Sequence, residues 1–182
     1  MLTIKRYFFR ICLFAATLLG QYAYSQSPAA LPPEYDNTTV VNYIRVWETT
    51  APIQDPASLI SRPIEAVKEA TQFFDGLGRP IQTVAKKATP LQKDLVTATV
   101  YDLLGRETIK YLPFASNVAQ AGDVVNDGYF KMNPFQQQAA FYNTQLAGQA
   151  GETNINSTTL NWAHSQSILE ASPLNRPIKI LL

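Results

Sequence analysis

Asp75 and Asp102 are residues whose types could do chemistry. Two carboxylates across a cleft could act as the acid and base of glycoside hydrolysis. Three arginines, Arg79, Arg106 and Arg176, could form a ladder for an anionic glycan. His164 is the sole histidine, in a segment with no second residue at metal-ligand spacing. Asp123, Asp127 and Gly128 loosely resemble a calcium loop, but the full ligand series and its closing glutamate are missing. There is no Gly-x-Ser-x-Gly elbow for a nucleophilic serine. Asp75-Gly76-Leu77-Gly78 lacks the continuation that a dinucleotide-binding loop needs.

The surroundings of these residues favour a structural reading. Aligned on the arginines, three stretches share one grammar: Asp75-Gly76-Leu77-Gly78-Arg79, Asp102-Leu103-Leu104-Gly105-Arg106 and Ser172-Pro173-Leu174-Asn175-Arg176. Asp or Ser at the first position of a type I turn accepts a hydrogen bond from the backbone two residues on. Pro173 has the φ that the second position requires. Gly78, Gly105 and Asn175 fall where such a hairpin needs a left-handed residue. Each arginine is then expected to bridge oxygens near its own turn or to stack on an aromatic neighbour. No catalytic, cofactor-binding or metal-binding residue is assigned, and no cofactor is expected.

β-Branched and aromatic residues flank the turns, which predicts β-hairpins at 71–86, 96–111 and 167–181. Val40 to Trp47 alternates as a strand. Thr49 to Arg62, with Pro52 and Pro56, reads as a loop, and Ile64 to Ala70 as a strand leading into the first turn. One short helix is predicted near 134–147: Asn133 can cap it, Pro134 suits its first position, and Gln136 completes a capping-box-like pattern. Its apolar stripe of Phe135, Gln138, Ala139, Tyr142 and Leu146 is narrow, so it should lie against the sheet, with Gly148 ending it. The fold class expected is mainly β, with hairpin repeats forming an antiparallel sheet.

Residues 1–25 read as a signal peptide. Lys5, Arg6 and Arg10 precede an apolar run from Ile11 to Gly20, and Ala23-Tyr24-Ser25 offers a cleavage site before Gln26. That run is shorter than a membrane span requires. Residues 26–39 are rich in Pro and small residues and read as an exposed linker, leaving 40–182 as one domain. Of the 15 Lys+Arg, three lie in the leader with none of the 14 Asp+Glu, so the remainder carries about −2. Nothing there calls for nucleic acid as a partner. The single cysteine, Cys12, also lies in the leader, so the exported part can form no disulfide. The address expected is export, to the cell envelope or beyond, with no stable membrane span after cleavage.

Four ordered motifs carry a resemblance that spans roughly residues 40–182. They are Phe74-Asp75-Gly76-Leu77-Gly78-Arg79-Pro80-Ile81-Gln82, Lys93-Asp94-Leu95-Val96, Lys110-Tyr111-Leu112-Pro113-Phe114 and Ser172-Pro173-Leu174-Asn175-Arg176. Together they resemble the uncharacterised DUF6443-like domain at the N-terminus of RHS (YD-repeat) proteins of Bacteroidetes type. Tyr101-Asp102-x-x-Gly105-Arg106 is itself similar to the YD repeat. The resemblance implies a non-enzymatic structural module that caps or starts a β-shell. Such a shell encloses a toxin or presents a surface-interaction tip, and the partners implied are the remaining repeats of the same or an adjacent chain. The other reading is a carbohydrate- or cell-surface-binding module; Phe73, Phe74, Tyr101 and Tyr111 read as sheet packing, though exposed ones could stack on sugars. The apolar stretch Pro177 to Leu182 reads as a return strand. It leaves two expectations open: a piece of a larger shell or truncated frame, or a strand buried within this domain.

Overall fold

The computed structural model describes residues 30–145 and 163–181. The expected leader and the expected helix end at Leu146 and Gly148 lie outside the described residues. Among the described residues, eight strands form two antiparallel sheets. The larger contains β1 (Asn42–Thr49), β2 (Val67–Phe74), β3 (Pro80–Ala85), β4 (Leu95–Ala98) and β6 (Phe114–Ala115), in that spatial order. The smaller contains β5 (Ile109–Tyr111), β7 (His164–Leu169) and β8 (Pro177–Leu181). The chain is therefore mainly β with one short helix, as its strand pattern predicts.

Period-2 alternation decides which face of the large sheet is buried. In β2, Val67, Glu69, Thr71 and Phe73 point inward, while Lys68, Ala70 and Gln72 point to solvent. One inner row crosses all five strands in register: Arg45, Thr71, Val84, Val96 and Phe114. Phe73, Ile81, Val84, Val96 and Phe114 form the main core, and Ala98, Tyr111 and Phe135 a second one beside the smaller sheet. Phe73 and Tyr111 are thus core residues, which is the packing role their strand pattern predicts. Phe74 and Tyr101 are half-buried.

The helix α1 (Pro134–Ala140) closes the gap between the sheets and runs into a π-helical turn, Phe141–Gln145. Its narrow apolar stripe has a reason. Phe135 fills the core, but the rest of the inward face is amide. Gln137 Oε1 accepts from Ser116 Oγ at 2.8 Å, and Gln138 Nε2 donates to the Leu112 and Ala163 carbonyls at 3.1 and 2.7 Å. The capping box is corrected. Asn133 makes no side-chain cap bond; its Oδ1 accepts from Gln137 Nε2 at 2.8 Å and its Nδ2 donates to Asp123 at 3.0 Å.

Three further expectations are revised. The 49–62 loop contains a 3-10 helix, Pro56–Ser61, capped by the Asp55 side chain on the Ala57 N–H at 3.0 Å. Within 30–39, Tyr35 is an anchor rather than linker: its N–H donates to the Met132 carbonyl at 2.8 Å, and its ring lies 5.0 Å from Phe130. The third revision is the largest. The 96–111 hairpin does not form. Its turn is present, but β4 pairs with β3 and β6, whereas β5 joins β7 in the other sheet. A single bridge, Thr99 to Lys110, spans the two arms.

Candidate functional site: a stack of three arginine-clamped turns

The first two turns are built almost identically. Asp75 Oδ1 accepts from the Leu77 and Arg79 backbone N–H groups, each at 2.9 Å, and Oδ2 accepts from Arg79 Nε at 2.8 Å. Asp102 repeats this with Leu104, Arg106 and Arg106 Nε at 2.9, 2.9 and 2.8 Å. Nη2 of each arginine lies on the same carboxylate, at 2.7 Å for Arg79 and 2.8 Å for Arg106. Gly78 and Gly105 have φ of 77° and 74°. Burial pushes the Asp75 carboxyl upward, but the Arg79 and Leu77 hydrogen bonds outweigh it and hold the group below its usual range. Asp102 is held low chiefly by the Arg106 backbone N–H.

The third turn divides the aspartate's work between two residues. Ser172 Oγ accepts from the Leu174 N–H at 3.2 Å, and Asn175 takes the left-handed position at φ 50°. The arginine clamp comes from Glu170, whose two oxygens accept from Arg176 Nε and Nη2 at 3.0 and 3.1 Å. The Arg176 side chain, followed by a hydrogen bond from Ser172, holds the Glu170 carboxyl low. The strands also close between Glu170 and Arg176, a longer loop than the Asp-to-Arg closure of the other two. Glu170 was not legible from the aligned grammar because it precedes it. A carboxylate missing at the Asp position was the available signal. Pro173 is exposed on the outside of this turn.

The turns are stacked. In each, Nε and Nη2 serve the turn's own carboxylate, and Nη1 is left. Arg79 Nη1 lies 2.9 Å from where a Cβ on Gly105 would be, and the Arg79 guanidinium sits 4.5 Å above the Tyr101 ring. Arg106 Nη1 donates to Asn175 Oδ1 at 3.1 Å. Arg79 and Arg106 therefore each reach the left-handed residue of the following turn. Position five before the arginine is Phe74, Tyr101 and then Ala171. With no ring at Ala171, a cleft of about 580 Å³ lies against Arg106, Leu104 and Asn175.

This arrangement uses the carboxylates up. Asp75 and Asp102 are each committed to backbone N–H groups and their own arginine, which leaves neither placed as a free acid or base. The calcium-like residues are also spoken for. Asp127 pairs with Lys131 at 2.6 Å, and Asp123 Oδ2 accepts from the Ala119 and Gln120 N–H groups. Among the described residues no cluster of His, Cys, Asp and Glu could hold a metal ion, and no helix is long and apolar enough to cross a membrane. His164 is buried on β7, its ring 5.7 Å from Tyr111.

No curated protein and no solved structure matched the chain. One family does match, over residues 45–181, a span that takes in both sheets and all three turns. The chain therefore belongs to the family described as "Domain of unknown function (DUF6443)".

Proposed function

We propose that this chain is a non-enzymatic structural module of an exported RHS-type, YD-repeat protein, where it caps or initiates a β-shell. Such a shell encloses a cargo such as a toxin or presents a surface tip. The observation that carries the reading is the turn stack. One five-residue grammar occurs three times, and the first two arginines, Arg79 and Arg106, each pass from their own turn to the next. That is how a repeat array propagates, each unit burying its face against its neighbour. Strand β8, with Ile178 and Ile180 exposed, pairs only with β7 among the described residues. The leader would deliver the module outside the cytoplasm.

The test is to fuse an array of YD hairpins after this chain and to compare its protease resistance with that of the array alone. The reading expects the capped array to be monomeric and resistant, and the bare array to aggregate or be digested. Equal behaviour of the two would overturn it.

A second reading, a carbohydrate- or surface-binding module, is favoured by one feature. Tyr43 and Tyr129, both exposed, lie near the Arg45 guanidinium, with ring centroids at 5.5 and 5.2 Å. Glycan-array binding that is lost in Tyr129→Ala would support it.

A further inference from the structure

We propose that the third turn and the β8 edge form a docking surface for one more β-hairpin of the same repeat protein, and that Nη1 of Arg176 selects that hairpin by the left-handed residue of its turn. The inference rests on the repeat-module reading above and adds a selection rule to it.

The argument extends a contact the molecule already makes twice. Arg79 and Arg106 each bind their own carboxylate through Nε and Nη2 and offer Nη1 to the residue just before the next arginine. Arg176 is held in the same way, with Nε and Nη2 on Glu170. Its Nη1 has no partner among the described residues, and its side chain is 72% exposed. A bidentate fork fixes where the third nitrogen points. The edge beside it is apolar: Ile178 and Ile180 are 70% and 59% exposed. A strand edge of that kind is a template for pairing.

The contacts inside the stack state what the incoming turn must look like. Opposite Nη1 glycine fits, because a bare Cβ there would crowd a guanidinium nitrogen, as it would at Gly105, with no bond in return. Asparagine also serves, because its amide oxygen accepts the bond, as at Asn175. A ring five residues before its arginine would lie under Arg176, as Tyr101 lies under Arg79. The partner is thus a hairpin reading aromatic-Asp-x-x-Gly-Arg or aromatic-Asp-x-x-Asn-Arg.

The experiment titrates stapled synthetic hairpins, fluorescently labelled, against the full chain by anisotropy. Three hairpins differ only before the arginine, with Gly, Asn or Ala, and the staple keeps all three folded. The Gly and Asn forms should bind, with the Ala form weaker than Gly by the clash of its Cβ and about tenfold weaker than Asn, the scale of one hydrogen bond to a charged group. The Arg176→Gln chain should bind all three equally and weakly. Equal binding of the three to the unaltered chain, or binding unaffected by Arg176→Gln, overturns the selection rule while leaving the repeat-module reading in place. Self-association of the chain through β8 in preference to any hairpin overturns both.

Discussion

At the scale of single residues, the two glycines before Arg79 and Arg106 separate backbone strain from packing. Gly78 and Gly105 have nearly the same φ, but a Cβ on Gly78 would meet nothing within 4 Å. At Gly105 it would meet Arg79 Nη1 at 2.9 Å. Gly78→Ala should therefore cost only the strain of positive φ, about 1–2 kcal/mol. Gly105→Ala should cost that and also push the Arg79 guanidinium off Tyr101, giving a visibly larger drop in thermal stability. Equal losses would mean that the stack contributes nothing. The carboxylates make a second prediction. Asp75, Asp102 and Glu170 are all held below their ordinary values in the folded chain. A depressed folded pKa adds stability above the unfolded value, near 4. That contribution should be lost as pH falls below about 4, through the lowered values. Tm measured down this range should fall less in a chain carrying Asp102→Asn, which has lost one titrating clamp. The Asp, Gly and Arg roles were legible from local turn chemistry. Glu170 was not, because its role is set by a longer loop closure.

Elements were legible where local chemistry decides them and illegible where pairing does. The first and third hairpins follow from turn residues and alternation. The second turn has the same local signals, yet its arms part into different sheets. Turn chemistry fixes the reversal at Asp102–Arg106; it does not say which neighbour each arm will meet. Polar residues also hid structure. Asp94 is fully buried between β3 and β4, and its oxygens accept from the Lys87 N–H, the Gly128 N–H and Lys131 Nζ at 2.9, 2.9 and 2.8 Å. It binds the 124–131 segment to the end of the β3–β4 pair. Gln82 does likewise, exchanging two hydrogen bonds with the Lys131 backbone at 2.7 and 3.1 Å. A reading that seeks apolar residues for the core passes over both. Removing Asp94 takes from the buried Lys131 one of its two carboxylates, leaving Asp127 and the Val124 carbonyl, and strips the Lys87 and Gly128 N–H groups of their acceptor. Asp94→Ala should cost about 3–5 kcal/mol by chemical denaturation, with Asp94→Ala/Lys131→Met recovering part of the loss. No recovery would mean that Asp94 acts through its backbone partners alone.

At the scale of the whole molecule, the turn stack joins two sheets that otherwise share little β pairing. The first turn belongs to the five-stranded sheet and the third to the three-stranded one, with the second between them. Besides the single Thr99–Lys110 bridge and the helix amides, the Arg79-to-Gly105 and Arg106-to-Asn175 contacts carry the connection. From turn chemistry alone Asn175→Gly should be harmless, since glycine takes positive φ more readily. The Arg106 hydrogen bond changes that expectation. Asn175→Gly keeps the turn and deletes only the acceptor, so the loss falls on the join. Amide hydrogen exchange should then speed up in β7 and β8 by several-fold while β2 and β3 keep their protection, because local opening follows the contacts that hold each unit. Uniform acceleration across both sheets would mean that they open as one body and that the stack is not the joint. Unchanged exchange everywhere would mean that packing around Phe135 and Tyr111 holds the smaller sheet without it.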